Sequence, residues 1–298
     1  MSAAHGKVIL LGEHSVVYGR PALAAAISPG VDAVAADSGE ETLSLYVRPW
    51  ECGFAEGDGS DLGKALTALS QRLGVTGLRI DAVMHLPGGG GLGSSASLGV
   101  ACARAAAEAR GLVLDDARLL DVALAWERVF HGNPSGVDHT LAALGGVGVF
   151  TKSEGLRRVQ PRAPLRLCIG DTGERASTKE MVAVVARAYE KRPEATTKTF
   201  DAIASLVRNA ALALEAGDAR GLGELMDLNQ VLLSSLMVST ERVETLCRTA
   251  RDAGALGAKL TGAGGGGCVI ALAGDREREV LAAWAAEGVK AAAVEVGA

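Results

Sequence analysis

The sequence predicts an α+β protein of two domains, and three observations carry that prediction. The chain has 298 residues, which at roughly 150 per domain allows one large domain or two ordinary ones with substantial cores. Short runs rich in Val, Ile and Leu alternate with Ala- and Leu-rich helical stretches through the first half. After about residue 170 the pattern changes to long helices closed by a strand, a helix and a strand.

Taken in order, the strand-like runs are 7–11, 43–47, 78–86, 147–151 and 165–169, and the helices between them are 61–73, 95–110 and 116–131. The later helices are 178–191, 198–216, 219–237 and 241–253, followed by a strand at 268–272, a helix at 277–287 and a strand at 291–296. The polar, turn-rich segment 151–164 lies where the pattern shifts, which puts the domains at 1–160 and 161–298.

Composition excludes several functions. Lys and Arg number 30 against 35 Asp and Glu, a net charge of −5, and no basic cluster is present to replace the counterions of a nucleic acid. The five cysteines (Cys52, Cys102, Cys168, Cys247, Cys268) are odd in number and lack a CxxC pair, arguing against a disulfide framework or a zinc site. The run Val8 to Leu11 is too short for a signal-peptide core, and the apolar region 22–36 is broken by Pro29, Gly30 and Asp32. A cytoplasmic chain with no membrane partner is expected.

Two glycine clusters stand out among 39 glycines, LPGGGGLGSSAS around residues 88–93 and KLTGAGGGGCVI around 262–267. Both satisfy GxGxxG, yet the first lacks the acid at the end of a second strand that a dinucleotide turn requires, and the second precedes a strand. Neither is a Walker A loop, since no Lys precedes the hydroxyls of the first. What remains for the first loop is a run of bare backbone N–H groups leading into a helix at Ser94 and Ser95, an anion site with the positive end of a helix dipole behind it. Simple capping by Ser94 or Ser95 is the competing reading.

A hydroxyl at that helix entrance can reach a magnesium ion bridging phosphates, with a carboxylate as second ligand. Glu127 is a candidate, against the ordinary reading of a solvated helical acid. Asp138 lies in HGNPSGVDHT, read as a loop of turn formers, where it either serves the chemistry or makes an Asx turn.

Three motifs together resemble one family. GKVILLGEHSVVYG (6–19), PGGGGLGSSAS (87–97) and KLTGAGGGGCVI (259–270) resemble, in order and spacing, the three motifs of the galactokinase, homoserine kinase, mevalonate kinase and phosphomevalonate kinase (GHMP kinase) superfamily. The first motif and ERVFHGNPSGVDHTLAALGG (127–146) are most similar to the mevalonate kinase form. His5 stands where that form usually has Pro, and His139 where Asn is common.

The resemblance implies a two-domain GHMP-kinase-like fold: an N-terminal mixed-sheet domain with a left-handed βαβ unit, a C-terminal ferredoxin-like domain and an active site in the cleft between them. It implies ATP and Mg2+ as cofactors, with Pro87, Gly88, Gly89, Gly90, Gly91, Leu92, Gly93, Ser94, Ser95 and Ala96 around the phosphates and Ser95 and Glu127 on the metal. It places Lys7 and Asp138 at the reacting hydroxyl as catalytic groups, and Lys7, Glu13, His14, Asp138, Thr178 and Ala263 along the substrate. The activity implied is phosphorylation of the 5-hydroxyl of mevalonate. A related kinase acting on phosphomevalonate, another mevalonate hydroxyl or a sugar is the enzymatic alternative, and a kinase-shaped binding protein the non-enzymatic one. The resemblance also allows a homodimer. For Thr178 a structural role competes, because Ser177 to Glu180 fits an S-x-x-E capping box.

Overall fold

The computed structural model describes residues 1–48, 50–86 and 90–297. It divides into two compact units, one of Met1–Lys7, Ser28–Gly88 and Gly93–Gly145, the other of Val8–Ile27, Gly89–Leu92 and Gly146–Ala298.

Strands β1 (Ser2–Leu11) and β2 (Ala22–Asp37) pair; the first unit holds Ser2–Lys7 of β1 and Ser28–Asp37 of β2, and there β2 continues a sheet through β3 (Ser44–Arg48), β4 (Cys52–Ala55) and β5 (Leu78–Met84) in the order β4-β3-β5-β2. Strands β3 and β5 run parallel, the other pairs on that path antiparallel. Helices α1 (Asp61–Leu73), α2 (Ser94–Ala109), α3 (Asp116–His131) and α4 (Val137–Leu144) complete the unit. Its core joins Leu45, Val47 and Ile80 of the strands with Leu66 and Leu69 of α1, Val100 and Cys102 of α2, and Val122 and Trp126 of α3. Ser60 and Asp115 cap α1 and α3 by accepting from the backbone N–H groups of Gly63 and Arg118 through their side-chain oxygens.

The first half of β2 pairs in the second unit with β6 (Val147–Thr151), which pairs in turn with β7 (Gly155–Arg158). Among the described residues this unit also holds a four-stranded sheet of β8 (Leu165–Asp171), β9 (Gly257–Thr261), β10 (Cys268–Leu272) and β11 (Lys290–Val296), antiparallel throughout in the order β11-β8-β10-β9. With helices after β8 and β10 this is the split βαβ pattern of a ferredoxin-like fold. Helices α5 (Thr178–Lys191), α6 (Pro193–Ala216), α7 (Ala219–Ser235) and α8 (Glu241–Asp252) follow β8, and α9 (Glu277–Ala286) follows β10. Trp284 of α9 is fully buried and donates to Leu246 O at 2.9 Å, tying α9 to α8.

The expected α+β architecture is therefore present, and among the described residues four strands, one α-helix and a short 3-10 helix at Ser15–Tyr18 add to the elements read from the sequence. The longest of these is β2. Its apolar run is interrupted at Pro29 and Gly30, and the strand changes partner across that interruption: Ala22–Ala25 pair with β6, Val31–Asp37 with β5. Gly30 is required there, because a Cβ would lie 2.1 Å from Ala4 O of β1. Strands β4, β7 and β9 are short, and α4 lies inside the segment read as a loop.

Candidate active site

In the first unit, Lys7 of β1 is 3 % exposed and its ammonium lies 2.8 Å from Asp138 Oδ1. Asp138 is not on a loop: the turn formers end at Gly136, which caps α4 at φ 103°, and Asp138 stands in the first turn of that helix. The helix dipole therefore favours its charge. Burial pushes the Asp138 carboxyl up, but the Lys7 ammonium and its hydrogen bond prevail and hold it below the usual carboxylate range. The stem of Lys7 needs a glycine beside it, since a Cβ on Gly93 would stand 2.9 Å from Lys7 Cγ.

Gly93, at φ 72°, is also the N-cap of α2, and the helix has no side-chain cap. The capping role considered for Ser94 and Ser95 is thus not taken up, which leaves first-turn N–H groups of α2 without intrahelical acceptors. Ser95 Oγ instead donates to Glu127 Oε1 at 2.6 Å. Glu127 is 1 % exposed, so the ordinary reading of a solvated acid is replaced by a buried one. Burial first, and then the charge of Asp138, push its pKa up to about 7, against smaller opposing effects of Ser95 and Lys7. The two pairs, Ser95–Glu127 and Lys7–Asp138, thus sense each other electrostatically.

Trp126 and His131, neither singled out by the sequence, frame this carboxylate. Trp126 is fully buried and donates from Nε1 to Ser95 O at 3.1 Å, fixing the start of α2 against α3. His131 lies one turn after Glu127, its Nε2 3.6 Å from Glu127 Oε2. Helices α2 and α3 approach this closely because Gly99 has no side chain: a Cβ there would stand 2.6 Å from Trp126 Cδ1. Gly99→Ala is expected to cost about 1–3 kcal/mol through overpacking, read as a lower Tm in a thermal melt. The neighbour of Asp138, His139, is buried with Nδ1 lacking a hydrogen-bond partner among the described residues.

In the second unit the two glycine motifs meet. A Cβ on Gly91 would lie 2.6 Å from Thr261 O, and one on Gly262 2.8 Å from Gly91 Cα. Cys268 N–H donates to Gly90 O at 3.0 Å. The glycines thus serve backbone-to-backbone packing that any side chain would block. His14 Nε2 lies 2.8 Å from Ala263 O, which brings two of the expected substrate residues together. Burial lowers the His14 pKa, and the bond to Ala263 O only partly offsets it. Glu13 is placed differently from the expectation of an open substrate ligand: its side chain is wholly buried and pairs with the equally buried Lys259. Thr178 is exposed at the first position of α5, and the capping box between Ser177 and Glu180 forms beside it. Pro87, Gly88 and Gly89 lie outside the described residues, whereas Gly90, Leu92 and Ala96 are buried where the glycine loop runs into α2.

The description "GHMP kinases N terminal domain" matches residues 61–146, and "GHMP kinases C terminal" matches 210–290. A mevalonate kinase of Pyrococcus horikoshii is 38% identical over 307 aligned positions, covering 95% of this chain and 91% of the relative. The chain belongs to the GHMP kinase family, on its mevalonate kinase branch. A mevalonate kinase of Aeropyrum pernix, 37% identical over 93% of this chain and 90% of its own length, belongs with it. The crystal structure of the L. major mevalonate kinase in complex with R-mevalonate superposes with a TM-score of 0.88 at 31% identity, covering 98% of this chain and 94% of that one. Within this GHMP kinase the expected motif residues therefore stand on the fold that the family shares. No helix among the described residues is long and apolar enough to cross a membrane.

Proposed function

We propose that this GHMP kinase transfers the γ-phosphoryl group of ATP to the primary 5-hydroxyl of mevalonate, with Lys7 and Asp138 at the reacting oxygen. The observation that carries this reading is the ion pair of the buried Lys7 with the half-buried Asp138 at 2.8 Å, beside a second pair of hard oxygen donors, half-buried Ser95 Oγ and buried Glu127 Oε1, at 2.6 Å. Phosphoryl transfer asks for little covalent work from a protein: the acceptor hydroxyl must be aligned, charge on the phosphates offset, and water kept out. Asp138, held ionised by Lys7, can accept a hydrogen bond from the hydroxyl and take its proton. The Lys7 ammonium stabilises negative charge as it develops on that oxygen.

The free N–H groups at the start of α2, with the dipole behind them, are the donors this chain offers to phosphate oxygens. Ser95 Oγ and Glu127 Oε1 fit Mg2+, which takes hard oxygen ligands from one or two side chains and completes its shell with water and phosphate oxygens. The Glu127 side chain is buried, so a cation bound there would offset the cost of its charge. When bound, the metal would offset charge on the phosphates. His14, Ala263 and Thr178 are proposed to contact the substrate.

The test is regiochemical. With mevalonate and MgATP, phosphorus NMR with proton coupling should show the product phosphate on a CH2 group. Phosphate on the tertiary carbon, or turnover of phosphomevalonate, galactose or homoserine without turnover of mevalonate, would overturn the reading.

A further inference from the structure

The second unit contains a buried polar cluster that no step of the proposed transfer uses. Lys259 of β9 is 0 % exposed, and its ammonium is held by Glu13, by Leu260 O and, at 3.5 Å, by Ile9 O. The other carboxylate oxygen of Glu13 accepts from Asn229 Nδ2 of α7 at 3.1 Å. Thr261 Oγ1 completes the connection, accepting from Ile9 N at 2.9 Å and donating to Ile9 O at 3.2 Å. Among the described residues strands β1 and β9 share no backbone ladder, and these side-chain bonds fasten the end of β1 to β9.

Such a cluster is a poor way to gain stability. Taking a carboxylate and an ammonium out of water costs about what their attraction returns, and apolar side chains of similar volume often do as well or better. Its position in the chain suggests another role. Glu13 lies between Gly12, at φ 110°, and His14, at φ 60° and ψ −49°. A Cβ on Gly12 would stand 2.5 Å from Ala22 Cα, so the turn is tight on one side. His14 is strained on the other, since a side-chain-bearing residue at positive φ is held there only by its surroundings.

We infer that Lys259 and Asn229 are positioning residues for the kinase reaction: by clamping the Glu13 carboxylate they fix the adjacent His14 imidazole in one orientation and one tautomer. The tautomer follows from the partner. A carbonyl only accepts, so the bond to Ala263 O requires the proton on His14 Nε2, and the neutral ring then presents Nδ1 as an acceptor. Lys259 and Glu13 act through that geometry, being too buried to meet a ligand. The functional part of this inference rests on the reading that His14 contacts the substrate.

The experiment combines nitrogen NMR of the histidines with steady-state kinetics. In the full-length wild type, His14 should show the fixed Nε2–H pattern; averaging of the two tautomers would overturn the inference at once. Lys259→Met leaves Glu13 buried and unpaired, and Tm should fall by about 10 °C. Lys259→Met combined with Glu13→Leu removes both charges and should recover most of that Tm. In this double variant KM for the alcohol should nonetheless stay raised about tenfold or more, with KM for ATP within about twofold, and the His14 signals should average. Wild-type KM and a still-fixed His14 at recovered Tm would make the cluster structural only. Asn229→Ala keeps the ion pair, so it tests the clamp even where the double variant does not fold: the same alcohol-specific rise, about threefold, is expected, and an unchanged KM with a fixed His14 would overturn it. His14→Ala separates the two claims. If it leaves the alcohol KM unchanged, the substrate role of His14 fails, while the NMR result still decides whether the clamp holds the ring.

Discussion

Asp138→Asn and Lys7→Met are each expected to lower kcat by roughly 10² to 10⁴, the range for one lost proton acceptor or one lost electrostatic stabiliser, with KM for ATP little changed. The losses are not expected to multiply. Lys7 and Asp138 lie 2.8 Å apart, and Lys7 is what holds the Asp138 carboxyl below its usual range despite burial. Once Lys7 is replaced, Asp138 loses both its counter-charge and its anchor, so removing its carboxylate as well takes away little more. Steady-state kinetics on the two single variants and the double variant give the coupling directly. Fully multiplicative losses would show that the groups act independently, and a near-normal rate in Asp138→Asn would remove that residue from the chemistry. Thermal melts on the same proteins distinguish catalysis from folding, because a buried pair broken on one side can cost about 3–5 kcal/mol of stability.

The periodic parts of this fold were legible in the sequence. Helices α1, α2 and α3 begin and end close to where the apolar spacing puts them, α1 and α3 burying one face and α2 buried along most of its length. What escaped was set by contacts distant in the chain. Pro29 and Gly30 read as a break, yet they mark the place where one strand exchanges β6 for β5, and no local pattern announces a change of partner. The run HGNPSG, rich in turn formers, reads as a loop that carries on to Asp138, although Asp138 is only two positions past Gly136 and the helix has already started. Glu127 is indistinguishable in sequence from a solvated helical acid. Its burial is a product of α2 and α3 closing over Gly99 and Trp126, residues 28 and 1 positions away. The family motifs supplied that assignment before the packing did. They also named Glu13, whose carboxylate is buried against a lysine 246 positions later, a pairing that no local pattern announces.

Glu127→Gln is expected to change both the metal requirement and the pH dependence of stability, and the two effects share one cause. The Glu127 pKa is pushed up to about 7 chiefly by burial, then by Asp138, so the folded protein without ligand holds a proton there that the unfolded chain releases near its ordinary value of 4.5. Between those values the native state binds more protons than the unfolded state, and stability falls as pH rises. The contribution is fully present below about pH 4.5 and lost once pH passes about 7, a span of about 3 kcal/mol at 1.4 kcal/mol per unit. The buried His14, His131 and His139 work in the opposite sense, since their lowered pKa values make stability rise with pH up to about 6.5. The diagnostic is therefore the difference between wild type and Glu127→Gln in denaturant melts across pH 4.5 to 8. It should slope against the wild type as pH rises, and a flat difference would show Glu127 to be ionised throughout. The same proton must leave before Glu127 can serve a cation, so the magnesium concentration giving half-maximal rate should rise up to about tenfold per pH unit below 7 in the wild type. Glu127→Gln should need more magnesium at every pH, lose kcat and show no such slope. Ser95→Ala removes only the neutral oxygen and should raise the magnesium requirement while keeping the slope, because the titrating carboxylate is still there. If either variant kept the wild-type magnesium titration and rate, that residue would be packing and not a ligand.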